Sequence, residues 1–392
     1  FDGIKFYSAF QNNFKYYSCS LSATAQAGKV VNVIKEGKDD QYWIGTDDNG
    51  IFRFNAKTQE ITPFRDAASI GTTYYCIHDL LVDGDKLYAA TYGRGMEVFD
   101  LKTGKVESYL YNPEDSTSIS SSRVFILYKA SNGYIYVGTS NGICCYNPQQ
   151  KKFTRMGSFA GRISAIIEDY HGKIWIGTSI SGLYSYNIKT GKTTAYQRSD
   201  NPNSITKNVI TTLAIDNRKR LWVGTYGQGL CRYNEDSDNF TRYDHLELPN
   251  KIITSIIPKG DLLWISTNKG LAVYNPDTEY LKTYSKSNGL YNEQFTPRSG
   301  VESSDGKLFL GSTGGFCYFF PQDLRENTYN PPVVLTNMTI FGKEVQANIP
   351  DSPIQRSIGY TDEIILEYNQ SMIGFDFAAL SYIAPKENNY QY

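Results

Sequence analysis

A pattern that occurs seven times in the 392-residue chain constrains its fold more than any other feature. Each copy has an aromatic residue, a hydroxyl residue three positions later, a glycine a few residues on, and a second aromatic residue four positions after that glycine. Consecutive hydroxyl residues are separated by as few as 39 residues (Thr139 to Thr178) and as many as 48 (Thr91 to Thr139). A period of about 40 to 50 residues, made of short strands and glycine turns, is typical of propeller blades. The sequence therefore predicts an all-β, seven-bladed β-propeller.

The recurring aromatic residues have the spacing of packed side chains. Strand residues two apart share a face, so the residues two and four positions after each glycine can pack against a neighbouring blade. Burial of one such aromatic contributes roughly 2 to 3 kcal/mol. We therefore interpret these residues as core rather than as a surface for stacking sugars. The first aromatic, hydroxyl and glycine of the seven copies are Trp43, Thr46, Gly50; Tyr88, Thr91, Gly95; Tyr136, Thr139, Gly142; Trp175, Thr178, Gly182; Trp222, Thr225, Gly229; Trp264, Thr267, Gly270; and Phe309, Ser312, Gly315.

The seventh copy lacks an outer strand of its own, because nothing in FPQDLRENTYNPP after Phe319 resembles the outer strand of the other copies. The first seven residues, FDGIKFY, match the end of a third strand and the start of an outer one. We predict that residues 1–7 close the ring and leave no open sheet edge. The alternative is that they are the tail of an earlier blade.

The last part of the chain departs from the repeat after Pro332 and has period-2 alternation in PVVLTNMTIFGKEV and SMIGFDFAALSYIAP, which is typical of strands. We predict two domains, the propeller at 1–328 and an incomplete, Tyr-rich, Ig-like β-sandwich at 329–392. A complete sandwich needs about 100 residues.

Charge and composition exclude several partners. The 39 basic and 40 acidic residues give a net charge of −1, so the sequence predicts no nucleic-acid partner. No run of 18 apolar residues is present, so we expect no direct membrane contact. Cys144, Cys231 and Cys317 occupy one column of non-adjacent copies, beyond the reach of a disulfide. We predict that all six cysteines are free and mostly buried.

The histidines argue against an enzyme and against a metal site. His78, His171 and His245 are the only ones, and they map to an inner strand, a turn and a loop of different blades. A metal site or a general base would need them to converge. A cysteine nucleophile would lack a paired histidine. The sequence thus predicts no catalytic residue, no metal and no cofactor.

The loops between the second and third strands vary most from copy to copy, and they share one face of a propeller with the loops between blades. Variable loops on a rigid scaffold commonly carry function. Planar rings and forked donors suit a sugar or an acidic sugar, whereas the alternative is that these are solvated loop residues. The predicted ligand-binding residues are Tyr92, Arg94, Tyr226, Gln228 and Lys269 in the former loops, and Arg123 and Arg298 in the loops between blades.

The segment IIEDYHGKIWIGTSISGLYSYN and the loops NPEDSTSISSSRV and NPNSITKNV resemble the two-component-regulator propeller repeat. PPVVLTNMTIFGKEV and ILEYNQSMIGFDFAALSYIAPKENNYQY resemble the Tyr-rich sandwich domain that follows such propellers. The resemblance implies the periplasmic sensor region of a Bacteroidetes hybrid two-component histidine kinase. It also implies a neutral or acidic oligosaccharide ligand derived from glycans, homodimerisation through the parent protein, and a signal that crosses the membrane to control transcription.

The resemblance places kinase activity in the parent protein, outside this chain. Two other functions remain as alternatives. The propeller would be a scaffold for protein interactions or, with less support, a polysaccharide lyase or hydrolase, because the fold alone does not fix the function.

Overall fold

The computed structural model describes residues 14–19, 29–157, 159–324 and 332–380. The described residues belong to two compact units, one that ends at Leu324 and one formed by residues 332–380. The elements of these ranges are strands and four 3₁₀ turns, Ala68–Ile70, Lys286–Asn288, Pro321–Asp323 and Ile358–Tyr360. A search of the same residues finds no helix with the length and apolarity needed to cross a membrane.

Within its described residues, the first unit consists of seven four-stranded antiparallel sheets, the blades. In blades 1 to 6 the strands follow chain order from the inner strand A to the outer strand D. Strands A to D are Val31–Glu36, Gln41–Thr46, Ile51–Asn55, Glu60–Arg65 (blade 1); Ile77–Asp83, Lys86–Thr91, Met96–Asp100, Val106–Tyr109 (blade 2); Val124–Lys129, Ile135–Thr139, Gly142–Asn147, Lys152–Gly157 (blade 3); Ile163–Glu168, Lys173–Thr178, Leu183–Asn187, Thr193–Tyr196 (blade 4); Ile210–Ile215, Leu221–Thr225, Leu230–Asn234, Asn239–Arg242 (blade 5); Ile253–Lys259, Leu262–Thr267, Gly270–Tyr274, Leu281–Tyr284 (blade 6); and Phe295–Glu302, Leu308–Ser312, Gly315–Phe319, Lys15–Tyr17 (blade 7).

The inner strands form a closed ring. Each strand A contacts the strand A of the next blade, and that of blade 7 contacts that of blade 1. At this last junction the Thr296 hydroxyl donates a hydrogen bond to the Val31 carbonyl. A Cβ on Gly311 would lie only 2.7 Å from the same carbonyl oxygen, so the two blades pack closely. The predicted seven-bladed propeller is confirmed.

A strand from the N-terminal region completes blade 7, but it lies further along the chain than the sequence predicted. Lys15–Tyr17 pairs antiparallel with strand C, with Tyr17 opposite Phe316. A Cβ on Gly315 would lie 2.1 Å from the Tyr17 carbonyl oxygen, and this crowding recurs between strands C and D of other blades. Residues 1–7, which we expected in this role, lie outside the described residues. A three-residue strand has too little alternation to be located by pattern.

The hydroxyl of the repeat has one structural role in all seven blades. Its oxygen donates a hydrogen bond to the carbonyl of the glycine that begins strand C, and so ties the two ends of the turn between strands B and C. The seven bonds run from Thr46 to Gly50 (3.0 Å), Thr91 to Gly95 (2.8 Å), Thr139 to Gly142 (3.0 Å), Thr178 to Gly182 (2.9 Å), Thr225 to Gly229 (2.8 Å), Thr267 to Gly270 (2.9 Å) and Ser312 to Gly315 (2.9 Å).

The first aromatic of every copy is buried, as expected of core residues. Two of these rings also have a polar anchor, because the indole N–H of Trp175 donates to Asp169 (2.8 Å) and that of Trp222 donates to Asp216 (2.9 Å). All six cysteines are free, and five of them are buried. The prediction for the cysteines is therefore confirmed.

The second unit contains, in its described residues, one three-stranded antiparallel sheet in the order Lys343–Glu344, Val333–Ile340, Ile373–Ala379. Residue pairs across the two long strands share a face. Buried Met338 packs with Ile354 and Ile358 below one end of the sheet. The paired residues on one face are all apolar, namely Val333, Leu335, Met338 and Ile340 opposite Ala379, Phe377, Phe375 and Ile373.

Candidate functional site at the mouth of the propeller

A β-bulge near the start of every strand A supplies side chains to one end of the central channel. The register between strands A and B shifts between Ile77 and Asp79 in blade 2, and at the matching place in the other blades. Bulges leave a residue unpaired and turn its side chain away from the regular alternation. The residues at these shifts include Asn32, His78, Phe125, Ser164, Thr211, Thr254 and Arg298.

The same end of the channel carries the turns between strands B and C, because strands A and B are antiparallel. We call this end the mouth. Among the described residues, a set of polar and aromatic side chains that contact one another at the mouth lies on blades 1 to 4 and 7. These residues are Asn32, Asp47, Cys76, His78, Tyr92, Arg123, Phe125, Arg162 and Arg298.

Three of these side chains, Asp47, Cys76 and His78, form what we call the thiol cluster. The Sγ of Cys76 lies 3.5 Å from Oδ1 of Asp47 and 3.8 Å from both ring nitrogens of His78. Asp47 follows strand B of blade 1, whereas Cys76 precedes strand A of blade 2 and His78 is its bulged residue. Cys76 is buried and the other two are half-buried. The cluster therefore spans the junction between two blades.

Backbone hydrogen bonds hold the two halves of the thiol cluster together. The Tyr75 N–H donates to the Asp48 carbonyl, and the Tyr75 carbonyl accepts from the Gly50 N–H, both at 2.7 Å. The Asn32 amide donates to Asp47 Oδ1 (3.0 Å) and to the Ile77 carbonyl (3.1 Å). Such outer contacts fix the orientation of the groups that they support.

The electrostatics of the cluster favour neutral thiol and imidazole groups. Burial, together with nearby Arg298, lowers the pKa of His78 to about 4. Burial and the Asp47 carboxylate raise the pKa of Cys76 to about 12. A cysteine nucleophile needs the opposite arrangement, a thiolate stabilised by a cationic neighbour. The geometry thus corrects the expectation that no histidine lies beside a cysteine, while the charges do not favour catalysis by this pair.

Aromatic and guanidinium groups line the mouth next to the thiol cluster. The His78 ring stacks on Phe125 with centroids 4.7 Å apart. The Arg162 guanidinium lies 5.2 Å from the Phe125 centroid, and that of Arg123 lies 5.9 Å from the Tyr92 centroid. Both arrangements fit cation–π contacts. This part of the mouth therefore combines ring faces with forked donors.

Arg298 crosses the central opening. It belongs to strand A of blade 7, yet its Nη1 donates a hydrogen bond to the Phe125 carbonyl of blade 3 at 3.0 Å. Burial lowers the pKa of its guanidinium. Its φ of 60° is in the left-handed region, within the irregular stretch between Phe295 and Gly300. The sequence placed Arg298 in a loop between blades, which is wrong because the bulge, and not a loop, turns it inward.

The other predicted site residues have different surroundings. The structure brings Tyr92 and Arg123 together through an isolated β-bridge. Tyr226, Gln228 and Lys269 are exposed on blades 5 and 6. Arg94 lies at the mouth, where its Nε is 3.2 Å from Glu97 and its guanidinium is 5.8 Å from the Tyr75 centroid.

Sequence reasoning missed six residues of the mouth, namely Asn32, Asp47, Cys76, His78, Phe125 and Arg162. It treated the histidines as isolated because no two of them converge. The short spacing Cys76-Ile77-His78 at the start of an inner strand was the available signal. Its partner Asp47 belongs to the preceding blade, so only the ring of blades brings it near.

Comparisons with known proteins agree with this architecture. The family model described as "Two component regulator propeller" matches residues 157–179 and 204–227, which include strands A and B of blades 4 and 5. A curated relative, "Histidine kinase P4" of Formosa agariphila, is 24% identical over 403 aligned positions, which cover 100% of this chain and 29% of the kinase.

Solved structures show the same fold. The extracellular domain of a putative hybrid two-component system from B. thetaiotaomicron has a TM-score of 0.73 and 21% identity, over 95% of this chain and 50% of that one. A virginiamycin B lyase from Staphylococcus aureus has a TM-score of 0.60 and 16% identity, over 78% of this chain and 98% of that one. The chain therefore spans half or less of the length of the two-component relatives that it matches.

Proposed function

We propose that the chain is the extracytoplasmic, periplasmic sensor region of a hybrid two-component system, because the two-component regulator propeller model matches residues 157–179 and 204–227. The likeness to a histidine kinase over the whole chain, and to an extracellular domain of a hybrid system over 95% of it, supports this role. The observation that carries the proposal is the convergence of aromatic and cationic side chains at the mouth. Kinase activity belongs to the remainder of such a protein.

The proposed ligand is an acidic oligosaccharide derived from a glycan. Guanidinium groups of Arg123, Arg162 and Arg298 offer paired donors that match a carboxylate or sulfate. Tyr92, which is 47% exposed, offers an apolar ring face beside these donors. Ligand sites commonly combine apolar walls with a few convergent polar groups. The mouth has this combination on blades 2, 3, 4 and 7.

Binding of acidic and neutral oligosaccharides to the purified chain tests the proposal by calorimetry and thermal shift. We expect an acidic oligosaccharide to stabilise the protein, and Arg123→Ala and Tyr92→Ala each to weaken binding by about tenfold, equivalent to about 1.4 kcal/mol. Tyr134→Ala is the matched control, because Tyr134 is an exposed tyrosine in a turn between strands A and B, at the opposite end of the channel. Unchanged affinity in the two mouth variants would contradict the proposed site. If no oligosaccharide stabilises the protein, a scaffold for protein interactions becomes the better interpretation.

We propose that the second domain of the division made from the sequence, 1–328 and 329–392, takes part in signalling. The apolar face of its sheet, with Phe375 and Phe377 each 44% exposed, is the kind of face that a sandwich covers with a second sheet.

We propose that ligand binding shifts an equilibrium between arrangements of a homodimer of the parent protein. Sedimentation of the sensor region with and without the acidic oligosaccharide tests this step, and an unchanged dimer fraction in a dimer of unchanged shape would contradict it.

A further inference from the structure

The thiol cluster has the chemistry of a metal site. It brings together a thiol, an imidazole and a carboxylate, and the ligand atoms of Asp47, Cys76 and His78 all lie within 4.8 Å of one another. In the part of the chain that the structure describes, no other group of three His, Cys, Asp or Glu side chains converges in this way. Thiolate, imidazole and carboxylate are the three protein ligand types of Zn²⁺.

The distances match a tetrahedral ion. Zn–S bonds of about 2.3 Å and Zn–N or Zn–O bonds of about 2.1 Å at tetrahedral angles separate the ligand atoms by about 3.6 Å. The Cys76 sulfur lies 3.5 Å from the Asp47 oxygen and 3.8 Å from either imidazole nitrogen. Because the sulfur is equally far from both ring nitrogens, the His78 ring must rotate to point one nitrogen at an ion bound between the three groups.

The charge and the support of the cluster also suit a divalent cation. A Cys76 thiolate and the Asp47 carboxylate together carry two negative charges, which balance the ion. When the S–Zn bond forms, the S–H bond breaks and the proton passes to solvent. Asn32 holds Asp47 by a 3.0 Å hydrogen bond, as outer partners of metal ligands commonly do. Arg162 and Arg298 are cationic neighbours of His78 and oppose the ion, so we expect moderate rather than extreme affinity.

We propose that Asp47, Cys76 and His78 bind one Zn²⁺ ion at the junction of blades 1 and 2. Three protein ligands leave a fourth position open for water or for an oxygen of another molecule, which is the arrangement of accessible rather than closed zinc sites. Zn²⁺ binding at this site does not require the proposed oligosaccharide, and oligosaccharide binding does not require Zn²⁺.

The test uses the full chain after treatment with a chelator, titrated with ZnCl₂ and, separately, with CoCl₂. We expect one bound ion per chain by calorimetry, a rise in melting temperature with Zn²⁺, and a thiolate-to-cobalt charge-transfer band with Co²⁺. The absence of a saturable ion in the wild-type chain, or a cobalt spectrum without a thiolate band, overturns the proposal without any variant.

Variants assign the ligands. Cys76→Ser is expected to abolish the charge-transfer band, and His78→Gln and Asp47→Asn each to weaken Zn²⁺ binding by about 10- to 100-fold. Cys145→Ser and His171→Gln are the matched controls, because they remove a free thiol and an imidazole elsewhere in the propeller. Equal binding by Cys76→Ser and Cys145→Ser, with both folded by circular dichroism, overturns the assignment. Failure of oligosaccharide binding with normal Zn²⁺ binding, or the reverse, separates this proposal from the proposed function.

Discussion

Two polar clusters at opposite ends of the strands show how one scaffold uses similar side chains differently. Asp216 follows strand A of blade 5, at the end opposite the mouth. Its carboxylate accepts hydrogen bonds from the Trp222 indole (2.9 Å), the Arg220 Nε (2.6 Å) and the backbone N–H groups of Arg218 (3.0 Å) and Arg220 (2.9 Å). Every acceptor position of this carboxylate faces a donor from its own blade.

The thiol cluster differs from the Asp216 cluster in where its residues come from and in what surrounds its polar atoms. Asp47, Cys76 and His78 come from two blades, and their ligand atoms all lie within 4.8 Å of one another. A buried polar group that is fully hydrogen-bonded supports the fold, whereas convergent ligand atoms are suited to an added ion. Both clusters contain an aspartate, so residue type alone does not distinguish a structural cluster from a candidate binding site. The hydrogen bonds around the carboxylate do distinguish them.

The largest expected effect comes from the Asp216 cluster. Asp216→Ala should lower the free energy of unfolding by about 3 kcal/mol, because it leaves the buried Trp222 indole N–H and the Nε of Arg220 without their acceptor. Asp47→Ala should cost less than about 1 kcal/mol, since its carboxylate accepts few donors. Urea denaturation of both variants measures the difference, and equal losses would remove the distinction between the clusters.

The two clusters should also differ in how acid changes the free energy of unfolding. The pKa of His78 falls from 6.5 in the unfolded chain to about 4 in the fold, so the unfolded state binds the proton first. Stability should therefore decrease by roughly 2 to 3 kcal/mol as the pH falls from 6.5 to 4, and then level off for this group. Urea denaturation across this range should show a shallower slope for His78→Gln, whereas His171→Gln should retain the full slope. An unchanged slope in His78→Gln would contradict the assignment.

Asp216 responds at lower pH. Burial alone raises its pKa, but the hydrogen bonds of Trp222 and Arg220 hold this pKa below 3.8. Its contribution is present above 3.8 and is lost only as the pH falls below that value. The thiol cluster and the Asp216 cluster therefore change the stability of the fold over different pH ranges.

A smaller effect distinguishes two tryptophans at equivalent positions. The Trp222 indole donates to Asp216, whereas the buried Trp264 Nε1 has no hydrogen-bond partner. Trp222→Phe should therefore destabilise the protein by about 1 to 2 kcal/mol more than Trp264→Phe, since only the first change removes a hydrogen bond to a buried carboxylate. Thermal unfolding of the two variants checks this, and a larger loss for Trp264→Phe would count against it.

The smallest effect concerns an exposed pair at the same end as Asp216. His171 Nε2 lies 2.6 Å from the Glu235 carboxylate, and both side chains are about half exposed, at 49% and 45%. Such pairs contribute little. His171→Gln should change the free energy of unfolding, measured by urea denaturation, by less than about 0.5 kcal/mol. A loss above about 1 kcal/mol would show that an exposed pair such as His171–Glu235 stabilises the fold, contrary to this expectation.

The fold was predictable because its determinants are local. The hydroxyl, the glycine and the flanking aromatics of each blade lie within 12 residues, as Trp43 to Phe54 illustrates. The hydroxyl also makes the same hydrogen bond in every blade. The site was only partly predictable. Tyr92 and Arg123 were identified from variable loops, but His78 and Arg298 depend on bulges that break the alternation on which strand patterns rest. Asp47 reaches Cys76 only after the blades have assembled.

The bulges at the starts of the inner strands have an evolutionary consequence. Each blade contributes its own inward position, and the present set ranges from Asn32 and His78 to Phe125 and Arg298. The bonds that build the blade, such as that from Thr91 to Gly95, use other residues. Substitution at a bulge therefore changes the chemistry of the channel while the ring remains intact. A propeller of this kind offers seven such positions, from which new ligand preferences arise by one exchange at a time.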